Sequence, residues 1–154
     1  MIARLALSVA ALSATVAAIG CSSTTTATFS VNLHNASTQP VTAWMTKNGG
    51  PDESAWLAPE QLSGSIAATT DRISGVTIPP GRTGELPSIT GKFDADAFAV
   101  LRVYAGKVDF DQMLATGSDS RLRVDVPLRE GRNDLVVTPS PKLTVERVGE
   151  SKHE

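Results

Sequence analysis

The sequence predicts an all-β fold: one antiparallel β-sandwich of seven or eight strands with Greek-key connections and one short helical segment. Three observations predict it. Apolar and polar residues alternate with period two at residues 27–33, 41–47 and 121–128, which puts one face of each run on a core and the other in solvent. Clusters of Gly, Pro, Asn and Ser punctuate the chain at short intervals. The 154 residues make about one domain, with no internal repeat. The architecture is Ig-like without the Cys-Trp-Cys signature of true immunoglobulin domains, and a small closed barrel is the runner-up.

Each element follows from local chemistry. Residues 27–33 alternate, with Phe29, Val31 and Leu33 on one face, until the turn-rich Asn35-Ala36-Ser37-Thr38-Gln39-Pro40. In the next run Val41, Ala43 and Met45 share a face, and Asn48-Gly49-Gly50-Pro51 stops it. The helical segment is placed at residues 51–62, where Pro51, Asp52 and Glu53 suit a first turn and Pro59 ends it within two turns. Residues 76–78 form a short strand ended by Pro79-Pro80-Gly81, and 85–90 another, interrupted by Pro87. The nearly continuous apolar run 97–104 reads as a central strand covered on both faces. Ala105-Gly106-Lys107 then turns the chain into a strand at 108–111. The cleanest alternation is 121–128, with Leu122, Val124, Val126 and Leu128 facing in and Arg121, Arg123 and Asp125 facing out. Arg129-Glu130-Gly131-Arg132 reads as a hairpin turn into 134–138, and 143–145 as a last strand.

Composition removes several function classes. Fourteen Lys and Arg stand against 16 Asp and Glu, a net charge of -2, so nucleic acid is not an expected partner. One Cys and two His cannot build an all-protein zinc site or a disulfide framework. His153 lies in the tail, which leaves His34 as the one candidate base; no carboxylate is near it in sequence and no nucleophile elbow is present. Residues 84–92 carry six residues between their glycines rather than the four of a phosphate-binding loop. The pairs Asp94/Asp96 and Asp109/Asp111 offer oxygen ligands but lack a calcium loop with a distal Glu, and both members of the second pair fall on a solvent face. No metal, no cofactor and no enzyme activity are therefore expected.

The aromatic residues carry two opposed readings. Trp44 falls on the face opposite Val41, Ala43 and Met45. Either residues 51–62 fold back as a lid that buries Trp44 and Trp56, or Trp44, Trp56 and Tyr104 form an exposed platform for a sugar or a partner protein.

The N-terminus carries an address. Met1-Ile2-Ala3-Arg4 is basic, residues 5–19 run uncharged and apolar, and small residues lead to the single Cys21. This order is a secretory signal peptide, and Ala18-Ile19-Gly20-Cys21 resembles the lipobox of bacterial lipoproteins, with Ala18 where Leu is commonest. Cleavage after Ala18 by an ordinary signal peptidase is the alternative, which would strand Cys21 as a free thiol. The resemblance implies cleavage before Cys21, lipidation of Cys21 including a palmitate-type acyl chain, and a membrane anchor without a spanning segment. Ser22 after the Cys implies the cell outer membrane if the cell is Gram-negative, with the domain facing periplasm or cell exterior. The chain then divides into a signal peptide (1–20), a lipidated Cys with a Ser/Thr tether (21–26), a sandwich (27–149) and a charged tail (150–154). The expected function is a lipid-anchored, non-catalytic binding or scaffolding module for another envelope protein or glycan. Its rivals are a carbohydrate-binding module using exposed Trp or Tyr, and an envelope glycan hydrolase using Asp or Glu.

Overall fold

The computed structural model describes residues 23–62, 75–116, 122–138 and 142–149. The signal peptide, Cys21, Arg121 and the charged tail lie outside the described residues. Among the described residues, eight strands form two four-stranded sheets: β1 (Thr25–Asn35), β2 (Val41–Asn48), β3 (Val76–Ile78), β4 (Thr83–Phe93), β5 (Phe98–Ala105), β6 (Arg123–Pro127), β7 (Gly131–Thr138) and β8 (Thr144–Arg147). One sheet has the order β4-β1-β7-β8 and the other β3-β2-β5-β6. The sandwich expected from the alternation is present, and every strand pair is antiparallel except β1 with β7, which run parallel.

The core follows the alternation in β1, β2, β5 and β7. Val31, Leu33, Val41, Ala43, Leu101, Val103, Leu135 and Val137 are buried between the sheets. Leu101 pairs with Met45 and Val126, and Val103 with Ala43 and Val124, so alternation places all of them on the inner face. Pro87 does not end β4. Phe29 pairs with Ile89 and Val31 with Leu86, so Pro87 and Ser88 together oppose Ser30 in a β-bulge. A bulge leaves a residue outside the ladder, which suits one without an N–H.

Two buried asparagines join the sheets at their ends. At the end of β1, the Asn35 amide donates to Gln39 O (2.9 Å) and to Ile78 O of β3 in the other sheet (3.0 Å), while its oxygen accepts from Ser37. In β7, the Asn133 amide donates to the carbonyls of Arg129 (2.8 Å), Gly131 (3.2 Å) and Ser30 (3.3 Å). Its oxygen accepts from Arg129 N (2.9 Å) and from Arg147 Nη1 (2.6 Å), and Arg147 Nη2 reaches Pro127 O of the other sheet. Both side chains are fully enclosed, and hydrogen-bond partners of this number are what burial of an amide requires.

Four expectations are corrected. Residues 129–132 do not form a hairpin turn: they carry the chain from β6 in one sheet to β7 in the other, an arch closed by Asn133. Of the inward set at 121–128, only Leu128 is buried; β6 is an edge strand, so Val124 and Val126 are half-covered, and Leu122 precedes the strand and is exposed. Residues 108–111 open a helix, α2 (Phe110–Thr116), because Gln112 N donates to Asp109 Oδ1 (2.9 Å) and Asp109 N to Gln112 Oε1 (3.0 Å). That reciprocal pair is a capping box, and it outweighs two residues of alternation. Finally, the segment after β2 is a 3-10 turn at Ser54–Trp56 followed by α1 (Pro59–Leu62), so Pro59 begins a helix rather than ending one. Proline lacks the N–H that the first helical position leaves unused. Strand β1 also begins two residues inside the expected tether, at Thr25.

Candidate functional site

The outer face of the β3-β2-β5-β6 sheet holds most of the chain's unusual chemistry. Alternation puts Thr42, Trp44, Thr46 and Asn48 of β2 on it, with Phe98, Val100, Arg102 and Tyr104 of β5 and Arg123, Asp125 and Pro127 of β6. Paired rows run Asn48–Phe98, Thr46–Val100–Pro127, Trp44–Arg102–Asp125 and Thr42–Tyr104–Arg123.

The segment after β2 covers the middle of this face. Trp44 Nε1 donates to Leu57 O (3.1 Å) and Thr46 Oγ1 to Trp56 O (2.8 Å), which stitches residues 56–57 to β2. The Trp56 side chain passes the sheet end and packs edge-on against Phe29 (5.6 Å between centroids) and Phe93 (5.3 Å). Its indole N–H points at Thr90 O (3.3 Å), and a Cβ at Gly91 would stand 2.2 Å from that nitrogen, so the position admits no side chain. Lys47 anchors the start of the segment. Its ammonium is 3% exposed and donates to Glu53 Oε2 (2.9 Å), Lys92 O (2.9 Å) and Pro51 O, above the Phe93 ring. Glu53 also accepts Lys92 N (2.8 Å), and the Lys47 bond holds its carboxyl below the ordinary glutamate range.

A charged network ties α1 to the sheet. Arg102 Nη1 donates to both oxygens of Glu60 (3.0 and 2.7 Å), and Arg123 Nη1 lies 3.6 Å from Glu60. Arg123 also forks onto Asp125, at 2.8 and 3.0 Å. Partial burial raises the Glu60 carboxyl, but the Arg102 hydrogen bond, with the field of both arginines, leaves it below its ordinary value. A lowered carboxyl contributes stability above its unfolded pKa, about 4.3 for Glu, and that contribution is lost as pH falls through the folded value. Glu60→Gln is therefore expected to lower stability at neutral pH and to flatten its decline between about pH 5 and 3, measured by urea unfolding across that range. Near the helices, Tyr104 and Met113 are fully buried, and burial pushes the Tyr104 phenol up. Among the described residues, neither Arg102 Nε nor Tyr104 Oη reaches a hydrogen-bond partner, although the Arg102 charge partly offsets the effect of burial on the phenol.

Burial bears differently on the three aromatic residues. Trp56 and Tyr104 are 1% and 0% exposed, so they cannot form a surface platform. Trp44 is half-buried with its N–H committed. The segment does fold back as a cover, because the otherwise bare row of Trp44 and Thr46 supplies two donors for its carbonyls.

The cover stops short at one end. There the outer face forms a cleft of about 280 Å³ lined by Thr46, Lys47, Asn48, Phe98, Val100, Arg102, Asp125 and Pro127. Phe98, which the sequence reading passed over as one letter of an apolar run, is 42% exposed at its rim. The signal was its position as the first residue of a strand whose outward neighbours are covered. A shallower depression of about 360 Å³ lies at the far end, beside α2.

The remaining acids and His34 are dispersed. Asp109 caps α2, Asp94 accepts from Thr24 Oγ1 (3.1 Å), and Asp134 accepts from Asn32 and Arg132. His34 Nδ1 shares a hydrogen bond with Thr83 Oγ1 (3.0 Å). Among the described residues no group of three metal-binding side chains converges, and no helix is long and apolar enough to cross a membrane. Comparison of the chain with protein-family models, with curated proteins and with solved structures finds no match.

Proposed function

We propose that this chain is a lipid-anchored cell-envelope protein whose sandwich is a non-catalytic binding or scaffolding module held close against the bilayer. The observation that carries the reading is the start of β1 at Thr25, four residues after the lipobox cysteine. Thr24 is hydrogen-bonded to Asp94 of the β4–β5 turn. Three residues from Cys21 to Thr24 span at most about 11 Å, whereas the 11-residue β1 runs about 36 Å. Lipidation at Cys21 therefore fixes which end of the sandwich meets the membrane: the end bearing residues 48–52 and 94–98. The opposite end, with residues 36–40 and 79–82, stands free for a partner. The non-catalytic reading is supported by how the acids are used, since Glu53, Glu60, Asp109, Asp125 and Asp134 each hold structural contacts.

Two variants test the placement in vesicles. Asp96→Cys and Gln39→Cys each add one thiol for a fluorophore, because a thioether occupies Cys21. Headgroup-labelled quencher lipid is expected to quench the label at position 96 and spare that at 39. Equal quenching, or quenching confined to 39, would contradict it. Cys21→Ala is expected to move the chain to the soluble fraction or to stall it uncleaved.

A further inference from the structure

We infer that the cleft between Phe98 and Asp125 is a saccharide-binding subsite, opening at the membrane-proximal end of the sandwich. Its position near the bilayer rests on the anchoring proposed above; its chemistry does not.

The charge balance comes first. The cations at the cleft are already answered: Arg102 by Glu60, and Lys47 by Glu53 and two carbonyls. Asp125 is answered by Arg123. Among the described residues an anionic ligand such as a phosphate would find no uncompensated positive charge, so the cleft suits a neutral ligand. Its walls are of two kinds. Phe98, Val100 and Pro127 give an apolar floor and one exposed aromatic ring, while Asn48 and Asp125 give planar polar groups at the rim. The Asp125 carboxylate is 42% exposed, and its Arg123 fork still leaves acceptor capacity for hydroxyl donors. A pyranose matches that division: one face is C–H and lies flat on an aromatic ring, and its hydroxyl edge both donates and accepts. An aliphatic peptide side chain would use the floor and leave the spare acceptor capacity of Asp125 and the Asn48 amide unused.

Size agrees. About 280 Å³ falls at the lower edge of ligand pockets, which run roughly 300–1,000 Å³, and leaves room for one or two sugar rings. The site also differs from the aromatic platform read from sequence, since the ring is Phe98 and none of Trp44, Trp56 or Tyr104 reaches the cleft.

The test uses the full mature chain in detergent micelles, with chitobiose, cellobiose and maltose as probes and saturation-transfer NMR as readout. Transfer is expected to the C–H protons of one ring face of at least one probe. Phe98→Ala is expected to weaken that probe about tenfold, the order of one aromatic stacking contact, and Phe98→Tyr to restore it. Asn48→Ala, at an exposed position, should weaken it as well. Circular dichroism and the thermal midpoint show whether each variant is folded. Absence of transfer from all three probes, or transfer unchanged in folded Phe98→Ala, would overturn the assignment. Inorganic phosphate binding in place of sugar would overturn it too. The soluble Cys21→Ala chain should bind the same probe, so a native chain recovered unattached to membranes with binding retained would refute only the anchor.

Discussion

Trp56→Ala is expected to cost about 3–5 kcal/mol, the largest single loss in this domain. The indole is 1% exposed, wedged edge-on between Phe29 and Phe93, and sits where Gly91 leaves it space. Truncation removes two aromatic contacts and the hydrogen bond to Thr90, and leaves a cavity that the two phenylalanines, fixed on β1 and β4, cannot fill. The effect should extend beyond stability. Residues 56–57 hold the cover on β2 through Thr46 and Trp44, so loosening Trp56 frees the backbone above the outer face. Urea unfolding measures the first effect; faster amide exchange across residues 53–62 measures the second. A loss below about 1 kcal/mol, the scale of an ordinary surface change, would mean that Trp56 is not the wedge described here.

Asn133→Leu is expected to cost about 3 kcal/mol, although leucine is apolar and similar in size. The substitution strands the part-buried N–H and C=O of Arg129 and removes the acceptor that holds Arg147, and a fully buried group stranded in this way costs roughly 1–3 kcal/mol. Asn133→Asp separates the two halves of the side chain: it keeps the acceptor for Arg147 and Arg129 N while losing the donors to three carbonyls. Denaturation curves for the pair, compared with the parent chain, apportion the two sets. An unchanged Asn133→Leu midpoint would show that the arch between β6 and β7 closes without it.

What the sequence made legible follows a physical division. Strands with one face on the core wrote their pattern plainly: Phe29, Val31 and Leu33 in β1, and Val41, Ala43 and Met45 in β2, are buried as alternation requires. Alternation does not record how many neighbours a strand has. The 121–128 run therefore looked like the cleanest core strand, while β6 lies at a sheet edge with Val124 and Val126 half-covered. Nor does it record which sheet the next strand joins; Arg129-Glu130-Gly131-Arg132 has turn chemistry, but the arch is closed by Asn133 on Arg129 and by Arg147, which bonds Asn133 and reaches Pro127 of the other sheet. The spacing of Asp109 and Gln112 carries a capping box, which competes with the alternation of Val108 and Phe110 and prevails. The site was least legible. Glu60, Arg102 and the neighbouring pair Arg123 and Asp125 are far apart in the chain and meet only because β5 pairs with β6 and α1 folds over them. Phe98 became a candidate only once the cover was seen to stop short of it.

The proposed anchor stands this sandwich on a bilayer through Cys21. Intact-mass analysis of the native protein extracted from membranes tests it most directly. The expected mass is that of the chain from Cys21 onward plus a diacylglyceryl group and, where the new amine is acylated, one further acyl chain. An unmodified chain beginning at Ile19 and recovered from the soluble fraction would contradict it.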